Sequence, residues 1–373
     1  MRIGVMLRDI WNQTDAPGII VLNLMDKILK YDNENEYVLF FRDDRFIERY
    51  NRFDNARGVK VSAPNKLIWD QIAVPWAARK EKVDVIFHPK HSIPLLTSKK
   101  TVMQLRGAEY WIYPEYFEWH DLLYSKIFIP LFCKKATKII TESNDVTTDF
   151  VKYLGISDDK TRMVYLACND KFKVIDDQEL LNSCRVKYNL PERFILTVTR
   201  VLQNNIYYPG KNIFNSIESY RRSAARKEMK FVIIGRKITK FIDKNFSSDD
   251  DILNDLVVID ALEQDELPAI YNCAELFLFP SNYESFGIPI LEAMSCGLPV
   301  ITSTTFSCPE ISGNAALQVP PDSVDEIATA IDKLSADKTL QNTLRDRGLK
   351  RSMEFGWDLA AQETVNIFNE LSI

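Results

Sequence analysis

Two glutamates, Glu284 and Glu292, flank a short segment whose backbone amides could bind an anion or a hydroxyl group. Ser285, Phe286 and Gly287 precede an apolar pattern of helical spacing, so their amides would lie at a helix N-terminus, where unpaired N–H groups attract negative charge. Glu292 lies among apolar residues, and a carboxylate there needs hydrogen-bond donors, which a ribose diol would supply. A simpler interpretation stays open, in which Glu284 caps the helix and Glu292 is a solvated surface residue.

A strand and a helix are predicted to position this segment. The apolar run from Leu276 to Phe279 is typical of a strand buried on both faces of a parallel sheet. A helix is predicted from Gly287 onward, with Pro289 in its first turn, where the missing N–H costs nothing. The helix ends at Gly297-Leu298-Pro299. The two carboxylates can therefore face one crevice.

The segment PSNYESFGIPILEAMSCGLPVITS closely resembles the E-x7-E segment of the retaining glycosyltransferases of family four. The resemblance covers nearly the whole chain and implies an α/β protein with the GT-B fold, in which two Rossmann-like domains with parallel sheets face each other across an interdomain cleft. It also implies that Glu284, Phe286 and Gly287 face the transferred sugar, with Ser285 in the same donor site. Glu292 would hold the ribose of the nucleotide.

Two cations, Arg200 and Lys211, are predicted at the carboxyl end of one strand and at the start of the next helix, where open α/β sheets bind ligands. The resemblance implies that they neutralise the leaving nucleoside diphosphate, whose negative charge grows as the glycosidic bond breaks. Their separation of eleven positions is larger than in the common family pattern, so the segment LQNNIYYPG is predicted to add a loop over the site. Taken alone, either residue would be an ordinary surface cation.

Two further candidates lie in the first half, where the sequence departs from the family. Arg106 follows a predicted strand and stands where many relatives have His followed by Asp, so it places a permanent cation at the predicted cleft. We expect it to contact the donor phosphate or the acceptor, and it belongs with the predicted catalytic residues. Gly18 ends a polar loop that starts at Asp9 and would let a phosphate or an acceptor approach backbone amides. A plain turn glycine is the alternative.

Composition predicts a globular protein of two ordinary domains, because the 373 residues are 46% hydrophobic and 27% charged. The sequence has no apolar run long enough to span a membrane, and MRIGVMLRDIW is typical of a first strand and not of a signal peptide. We therefore expect a cytoplasmic location. The six cysteines form no C-x-x-C pair and are expected to be reduced thiols.

We expect a Rossmann-like acceptor-binding domain over residues 1–170 and a Rossmann-like donor-binding domain over 171–355. The resemblance implies that the last helix, over 356–373, crosses back onto the first domain. Strands are predicted at Arg2 to Leu7, Tyr37 to Phe41, Val83 to Phe87, Thr101 to Leu105, Lys138 to Thr141, Phe194 to Arg200, Phe231 to Gly235, Val257 to Asp260, Leu276 to Phe279 and Val300 to Thr302.

A metal site is disfavoured. His88 and His91 form the only close histidine pair, without further ligands nearby, and the acidic runs at 43–44 and 249–251 are typical of solvated loops. We expect no cofactor and no metal, with a nucleoside diphosphate sugar as the substrate.

Two surface features bear on the partners. Nine of the twenty-three residues from Tyr110 to Phe132 are aromatic, which fits either a packed helix with a core-plugging loop or an acceptor surface that stacks on sugars or dips into a bilayer interface. Residues 1–170 carry a net charge of +2 and the remainder −7, which is compatible with peripheral contact between the first domain and the inner membrane but also with an incidental difference. The charge is far too weak for nucleic acid.

We predict a metal-independent retaining glycosyltransferase that moves a sugar from a UDP- or GDP-linked donor to a glycan or a lipid-linked acceptor, in the synthesis of bacterial cell-surface polysaccharide. Two alternatives remain open. The first is a GT-B epimerase acting on the nucleotide sugar, although so few histidines speak against it. The second is a scaffold that binds the sugar nucleotide without transfer.

Overall fold

The computed structural model describes residues 1–8, 16–203, 206–260, 262–263 and 265–372, so most of the loop predicted from Asp9 to Gly18 lies outside the described residues. The chain forms two compact units. The first comprises Met1–Ile112, Trp119–Leu166 and Gly356–Ile373, and the second comprises Tyr113–Glu118 and Ala167–Phe355.

The described part of the first unit is built on a parallel sheet of seven strands in the order β3-β2-β1-β4-β5-β6-β7. The strands are β1 (Arg2–Met6), β2 (Glu36–Phe41), β3 (Ala56–Lys60), β4 (Val85–His88), β5 (Lys100–Leu105), β6 (Lys138–Thr141) and β7 (Thr161–Met163). The inner strands are apolar and almost wholly buried because helices cover both faces of the sheet.

The helices of this unit are α1 (Ala16–Tyr31), α2 (Ile47–Tyr50), α3 (Lys66–Ile68), α4 (Val74–Lys80), α5 (Glu109–Ile112), α6 (Trp119–Lys135), α7 (Asn144–Leu154) and the C-terminal α16 (Trp357–Glu370). A π-helical turn, Trp69–Ala73, joins α3 to α4. Helix α16 packs on α1, where Lys27 pairs with Asp358 at 2.8 Å, and on β4, where the rings of Phe87 and Phe368 lie 5.2 Å apart.

The described part of the second unit is built on a parallel sheet of six strands in the order β12-β11-β8-β13-β14-β15. These strands are β8 (Phe194–Val198), β11 (Lys230–Ile234), β12 (Leu256–Ile259), β13 (Leu276–Phe279), β14 (Val300–Ser303) and β15 (Ala316–Val319). The antiparallel hairpin β9 (Leu202–Gln203) and β10 (Ile206–Tyr207) stands apart from the sheet.

Eight helices among the described residues surround this sheet. They are α8 (Gln178–Lys187), α9 (Ile213–Arg222), α10 (Ile238–Asn245), α11 (Leu267–Cys273), α12 (Ile288–Ser295), α13 (Ser307–Ser312), α14 (Val324–Ala336) and α15 (Lys338–Ser352).

The α/β class is confirmed, and each predicted strand is present with ends shifted by at most two residues. Three strands of the two parallel sheets were not predicted: β3, β7 and β15. All three lie at an edge of their sheet and are only partly buried, so their sequences lack the continuous apolar run that marks an inner strand. None of the described helices has both the length and the apolar character needed to cross a bilayer.

Candidate active site

The candidate site begins at the carboxyl end of β13, a wholly buried inner strand of the second sheet. The chain leaves the strand at Pro280 and enters α12 through Gly287, which has φ 103° and is the N-cap of the helix. A residue with a side chain is strained at this φ, and its Cβ would lie 3.1 Å from the Cδ1 of Ile290. The glycine therefore fixes the turn that places Ser285 and Phe286 directly before the helix.

The loop between β13 and α12 is held from the other side by Ser307. Its hydroxyl donates to the backbone carbonyls of Glu284 and Phe286, each at 2.9 Å. The Phe286 ring is buried against the edge of Phe355, with centroids 5.9 Å apart. The segment that sequence analysis selected for the donor sugar is thus a fixed, buried turn.

Glu284 forms an ion pair with Lys211, which joins the loop after β13 to the turn before α9. Its Oε1 accepts a hydrogen bond from the Lys211 ammonium and another, of 2.8 Å, from the Ser281 hydroxyl. The Glu284 side chain is only 8% exposed and that of Lys211 18%, so each charge needs the other. Glu284 is therefore not a helix cap, and the fold brings together two predicted residues that are 73 positions apart.

Lys211 is placed by the residue before it. The carbonyl of Gly210 accepts hydrogen bonds from the Ser281 hydroxyl at 2.7 Å and from the Asn282 amide at 2.8 Å. A Cβ on Gly210 would lie 2.5 Å from the Tyr208 ring, so only glycine fits against that ring. This close approach ties the Pro209–Lys211 turn to the end of β13.

Asn212 continues the same attachment. Its side-chain amide donates to the carbonyls of Pro280 at 2.9 Å and Pro321 at 2.6 Å, and the residue is buried as the N-cap of α9. Helix α9 thus starts at Ile213, two residues after Lys211, whereas the sequence predicts a start at Lys211 itself.

Glu292 lies in the second turn of α12 and accepts a 3.0 Å hydrogen bond from the Tyr271 hydroxyl. Burial of the carboxyl group raises its pKa to about 7, against the lowering effects of the Tyr271 hydrogen bond and of the Lys211 charge. A fully solvated surface glutamate would have neither the partner nor the shift, so the simpler interpretation is wrong for Glu292. Sequence reasoning missed Tyr271, which lies in an apolar helix and carries no signal of its own.

The raised pKa of Glu292 predicts a pH-dependent loss of stability. Its ordinary value is 4.5, so the native state binds this proton more tightly than the unfolded chain does. The contribution is fully present below pH 4.5 and is lost as the pH rises to about 7. The free energy of unfolding, measured with urea, should show this loss in the wild type but not in Glu292→Gln. Between pH 5 and 8 the variant should therefore gain on the order of 2–3 kcal/mol relative to the wild type. An equal pH dependence in both proteins would contradict the shifted pKa.

Arg200 follows β8 by two residues and is exposed. Its guanidinium lies over the ring of Tyr208, 4.6 Å from the centroid, and Tyr208 directly precedes the turn that carries Lys211. The segment between the two cations was predicted as a loop. The structure instead has the short hairpin β9–β10, of which residues 204–205 lie outside the described chain.

Five aromatic rings pack around this site within the second unit. Tyr113 and Tyr116 stack with centroids 4.8 Å apart and nearly parallel planes. The ring centroid of Tyr113 lies 6.1 Å from that of Tyr283 and 6.3 Å from that of Phe306. The centroid of Tyr116 lies 5.5 Å from that of Tyr208. The aromatic segment of the sequence is thus divided, because Tyr113–Glu118 joins the second unit and Trp119–Lys135 forms α6 of the first.

The two remaining candidates, Arg106 and Gly18, belong to the first unit. Arg106 follows β5, and its guanidinium donates to the Pro89 carbonyl at 3.3 Å. Gly18 is buried in the first turn of α1, which starts at Ala16, so it does not end the loop that the sequence predicts from Asp9. The prediction that Gly18 precedes the helix is therefore wrong, because the helix extends back through it. The roles of both residues stay predictions.

Of the two histidines weighed as metal ligands, His88 lies in a strand and His91 follows it. His88 is the buried last residue of β4, and its Nδ1 lies 3.0 Å from the Ser92 hydroxyl, which in turn donates to Asp70 at 3.0 Å. Within the described ranges, no cluster of three or more His, Cys, Asp or Glu side chains is arranged to hold a metal ion.

Two Rossmann-like units, each with a parallel sheet, define the GT-B class of glycosyltransferases, and solved structures of that class match nearly all of this chain. A glycosyltransferase from Rickettsia africae matches with a TM-score of 0.75 and 15% identity, covering 99% of this chain and 98% of its own. Anabaena HepE, solved with UDP and glucose, matches with a TM-score of 0.73 and 17% identity, covering 99% and 100%. The chain has the GT-B fold.

The sequence of this chain is similar to those of known glycosyltransferases. Residues 189–351 match the family of glycosyl transferases group 1. The O-antigen chain mannosyltransferase B of Escherichia coli is 25% identical over 371 residues, covering 92% of this chain and 93% of the relative. The serotype-specific mannosyltransferase WbdA of Escherichia coli is 29% identical over 244 residues, covering 64% of this chain and 29% of that longer protein. The family match and these two mannosyltransferases confirm the predicted resemblance to group 1 glycosyltransferases.

Proposed function

We propose that this glycosyltransferase moves mannose, with retention of configuration, from a nucleoside diphosphate donor to a glycan or lipid-linked glycan in the synthesis of a bacterial cell-surface polysaccharide. The observation that carries the proposal is the Lys211–Glu284 ion pair at the carboxyl end of β13, in which Glu284 is buried and the Ser281 hydroxyl donates to the same carboxylate oxygen. A cation and a carboxylate thus lie beside the turn that precedes α12. The resemblance to the family implies that the nucleotide sugar binds at this turn. The mannosyl specificity is supported by the names of the relatives.

Each residue of the site has a task that follows from its chemistry. The diphosphate of the donor competes with Glu284 for the Lys211 ammonium, and the exposed guanidinium of Arg200 supplies a second cation. When the bond from the sugar to the diphosphate breaks, negative charge grows on the leaving group, and both cations stabilise it. Glu284, released from Lys211, then faces the sugar.

The nucleoside end of the donor is assigned to Glu292. Its ionised carboxylate accepts hydrogen bonds from the ribose hydroxyls, and the Tyr271 hydroxyl orients it by donating to Oε2. The base is uracil or guanine. The acceptor is assigned to the first unit, and the reaction is placed in the cytoplasm or at the cytoplasmic face of the membrane.

A panel of UDP- and GDP-linked hexoses tests the proposal. The full chain is incubated with each donor, with and without lipid-linked or soluble mannose-containing acceptors, and the released nucleoside diphosphate is measured. We expect release that depends on acceptor and is greatest with GDP-mannose or another mannosyl donor, and NMR of the product should show the anomeric configuration of the donor. Donor consumption without acceptor would favour the epimerase, and donor binding without turnover on any acceptor would favour the scaffold.

Turnover is expected to survive metal removal. Two cationic side chains take the place of the metal ion that neutralises the diphosphate in enzymes with a D-x-D motif. The measurement is the transfer rate before and after dialysis against EDTA, and the two rates should agree. A rate that falls to background and is restored by Mg²⁺ or Mn²⁺ would contradict the assigned roles of Arg200 and Lys211.

A further inference from the structure

Exposed apolar side chains are concentrated in three segments of the first unit. Among the described residues, sixteen large hydrophobic side chains are exposed, and half of them lie on the α3–α4 segment (66–80), the loop 93–97 and helix α6. We define these eight as the exposed apolar face: Leu67, Ile72, Trp76, Leu96, Trp119, Leu123, Ile127 and Leu131. Side chains exposed singly are ordinary, but a concentration of this kind marks an interaction surface.

Helix α6 shows the feature most clearly. Its inward side packs Ile129, Phe132 and Cys133 into the core of the unit. Its outward side carries apolar residues at every fourth position from Trp119 to Leu131, which are 75%, 54%, 48% and 45% exposed in chain order. A surface helix normally has a polar outward side, so a helix that is apolar on both sides indicates a second apolar environment.

Three contacts join the segments into one surface. The Lys66 ammonium lies 5.0 Å from the Tyr124 ring, which links α3 to α6. The side-chain amide of Gln71 donates to the Ile93 carbonyl at 3.0 Å and accepts from the Leu95 amide at 2.8 Å, which links the π-helical turn to the loop. Lys135 donates to the Thr97 carbonyl at 2.7 Å, which links the loop to the end of α6.

The charges on these segments select the occupant. The exposed charged side chains on the α3–α4 segment and α6 are all basic: Lys66, Arg79, Lys80, Lys126 and Lys134. The carboxylates there are Asp70, which is buried and paired with Arg8, and the partly exposed Asp121. A surface that combines exposed tryptophan and aliphatic side chains with basic residues has the composition of segments that lie in the interface of a bilayer with anionic headgroups.

We propose that the exposed apolar face binds the surface of a membrane containing anionic lipid. The side chains of α6 and of the α3–α4 segment enter the boundary between headgroups and acyl chains, while the lysines stay at the level of the headgroups. The proposal depends on the proposed function in one respect: membrane binding would bring the enzyme to a lipid-linked acceptor, which lies at such a surface.

Vesicle binding tests it. The full chain is sedimented with vesicles of phosphatidylcholine alone and with vesicles that also contain phosphatidylglycerol. We expect binding to the anionic vesicles, weakened but not abolished by salt, because the apolar contribution is not screened. Trp76 and Trp119 are 68% and 75% exposed, so the tryptophan emission should shift to shorter wavelength on binding and be quenched by brominated lipid.

Two pairs of substitutions locate the surface. Ile72→Ser with Trp76→Ser, and Leu123→Ser with Ile127→Ser, should each weaken partitioning into anionic vesicles roughly tenfold or more, since each removes two buried apolar side chains from the bound state. The matched control is Val186→Ser with Met353→Ser in the second unit, where the side chains are 84% and 81% exposed. The control should bind vesicles like the wild type, and all variants should keep the wild-type unfolding midpoint and nucleoside diphosphate affinity.

Three results would overturn the inference. The first is an unchanged tryptophan emission and no sedimentation with either vesicle. The second is equal weakening in the control pair. The third is a loss of self-association by ultracentrifugation in the face variants without any change in vesicle binding, which would assign the face to a second copy of the chain. Failure of the proposed function is recognised separately, because it would appear as absent donor binding or transfer with vesicle binding intact.

Discussion

Replacing Lys211 by alanine is expected to lower turnover by about 10²–10³-fold while the donor affinity changes less. The leaving diphosphate gains charge only as the bond to the sugar breaks, so a cation aimed at it stabilises the transition state more than the bound donor. The measurement is kcat and KM for acceptor-dependent release of the nucleoside diphosphate, together with the donor Kd by calorimetry. Near-wild-type turnover in a folded Lys211→Ala protein would remove this residue from the reaction.

The ion pair with Glu284 complicates this variant, because the loss of Lys211 leaves a buried carboxylate without its main partner. The effect of Lys211→Ala should therefore be measured twice, in the wild type and in a Glu284→Gln background, each against its own parent. If the lower turnover arose only from the unpaired charge, Lys211→Ala would lower neither stability nor rate in the Glu284→Gln background. We expect stability to be unchanged in that background and the rate still to fall.

Arg200→Ala tests the same role without that complication, since Arg200 is exposed and rests on Tyr208. We expect a loss in the same range, and the double variant with Lys211→Ala should lose less than the product of the two single losses, because both cations act on one leaving group. The matched control is Lys240→Ala, an exposed lysine on α10 of the same unit, which should behave like the wild type.

The parts of this site that sequence reasoning could find are those continuous in the chain. Glu284, Gly287 and Glu292 lie in one segment whose strand, turn and helix follow from apolar spacing, and Arg200 follows its strand in the same way. These features depend on local conformation, which periodicity reports well. The inner strands of both sheets were predicted for the same reason.

The partners of those residues could not be predicted, because they depend on packing between distant segments. Ser281, Tyr271 and the carbonyl of Gly210 are ordinary residues in the sequence and become part of the site only when β13, α11 and the Pro209–Lys211 turn meet. Tyr113 and Tyr116 are a stronger case, since they precede α6 of the first unit in the chain yet pack against rings of the second. An aromatic count reports that such a segment is unusual, but not what it contacts.

The sequence left open, for a related reason, which side of α6 packs in the core and which is exposed. The helix carries apolar residues on both of its sides, so periodicity cannot tell which side faces the core. Only the burial of Ile129 and Phe132 and the exposure of Trp119 and Leu123 separate the two sides. The first unit therefore presents the apolar side chains of α6 on its surface as well as in its core.

Glu292→Ala is expected to weaken binding of the nucleoside diphosphate by about 10- to 150-fold, the equivalent of the 1.5–3 kcal/mol that a hydrogen bond to a charged group contributes. Because the carboxyl pKa is about 7 before the ligand binds, ribose binding to the ionised form should release a proton at pH 6. Wild-type affinity should accordingly rise between pH 6 and 8, and this rise should be absent in Glu292→Gln. Calorimetry in two buffers of different ionisation enthalpy measures both the Kd and the proton release.

Tyr271→Phe separates a positioning role from direct contact. The Tyr271 hydroxyl stabilises the ionised form of Glu292, so its removal should raise the carboxyl pKa further and shift the rise in affinity to higher pH, while at pH 9 the affinity should return close to that of the wild type. Glu192→Ala, at an exposed glutamate of the same unit, is the matched control for the loss of one negative charge and should leave the Kd unchanged. If Glu292→Ala binds the nucleotide as tightly as this control does, the ribose does not lie at Glu292, and the polar contacts of the nucleoside must be sought elsewhere at the carboxyl edge of the second sheet.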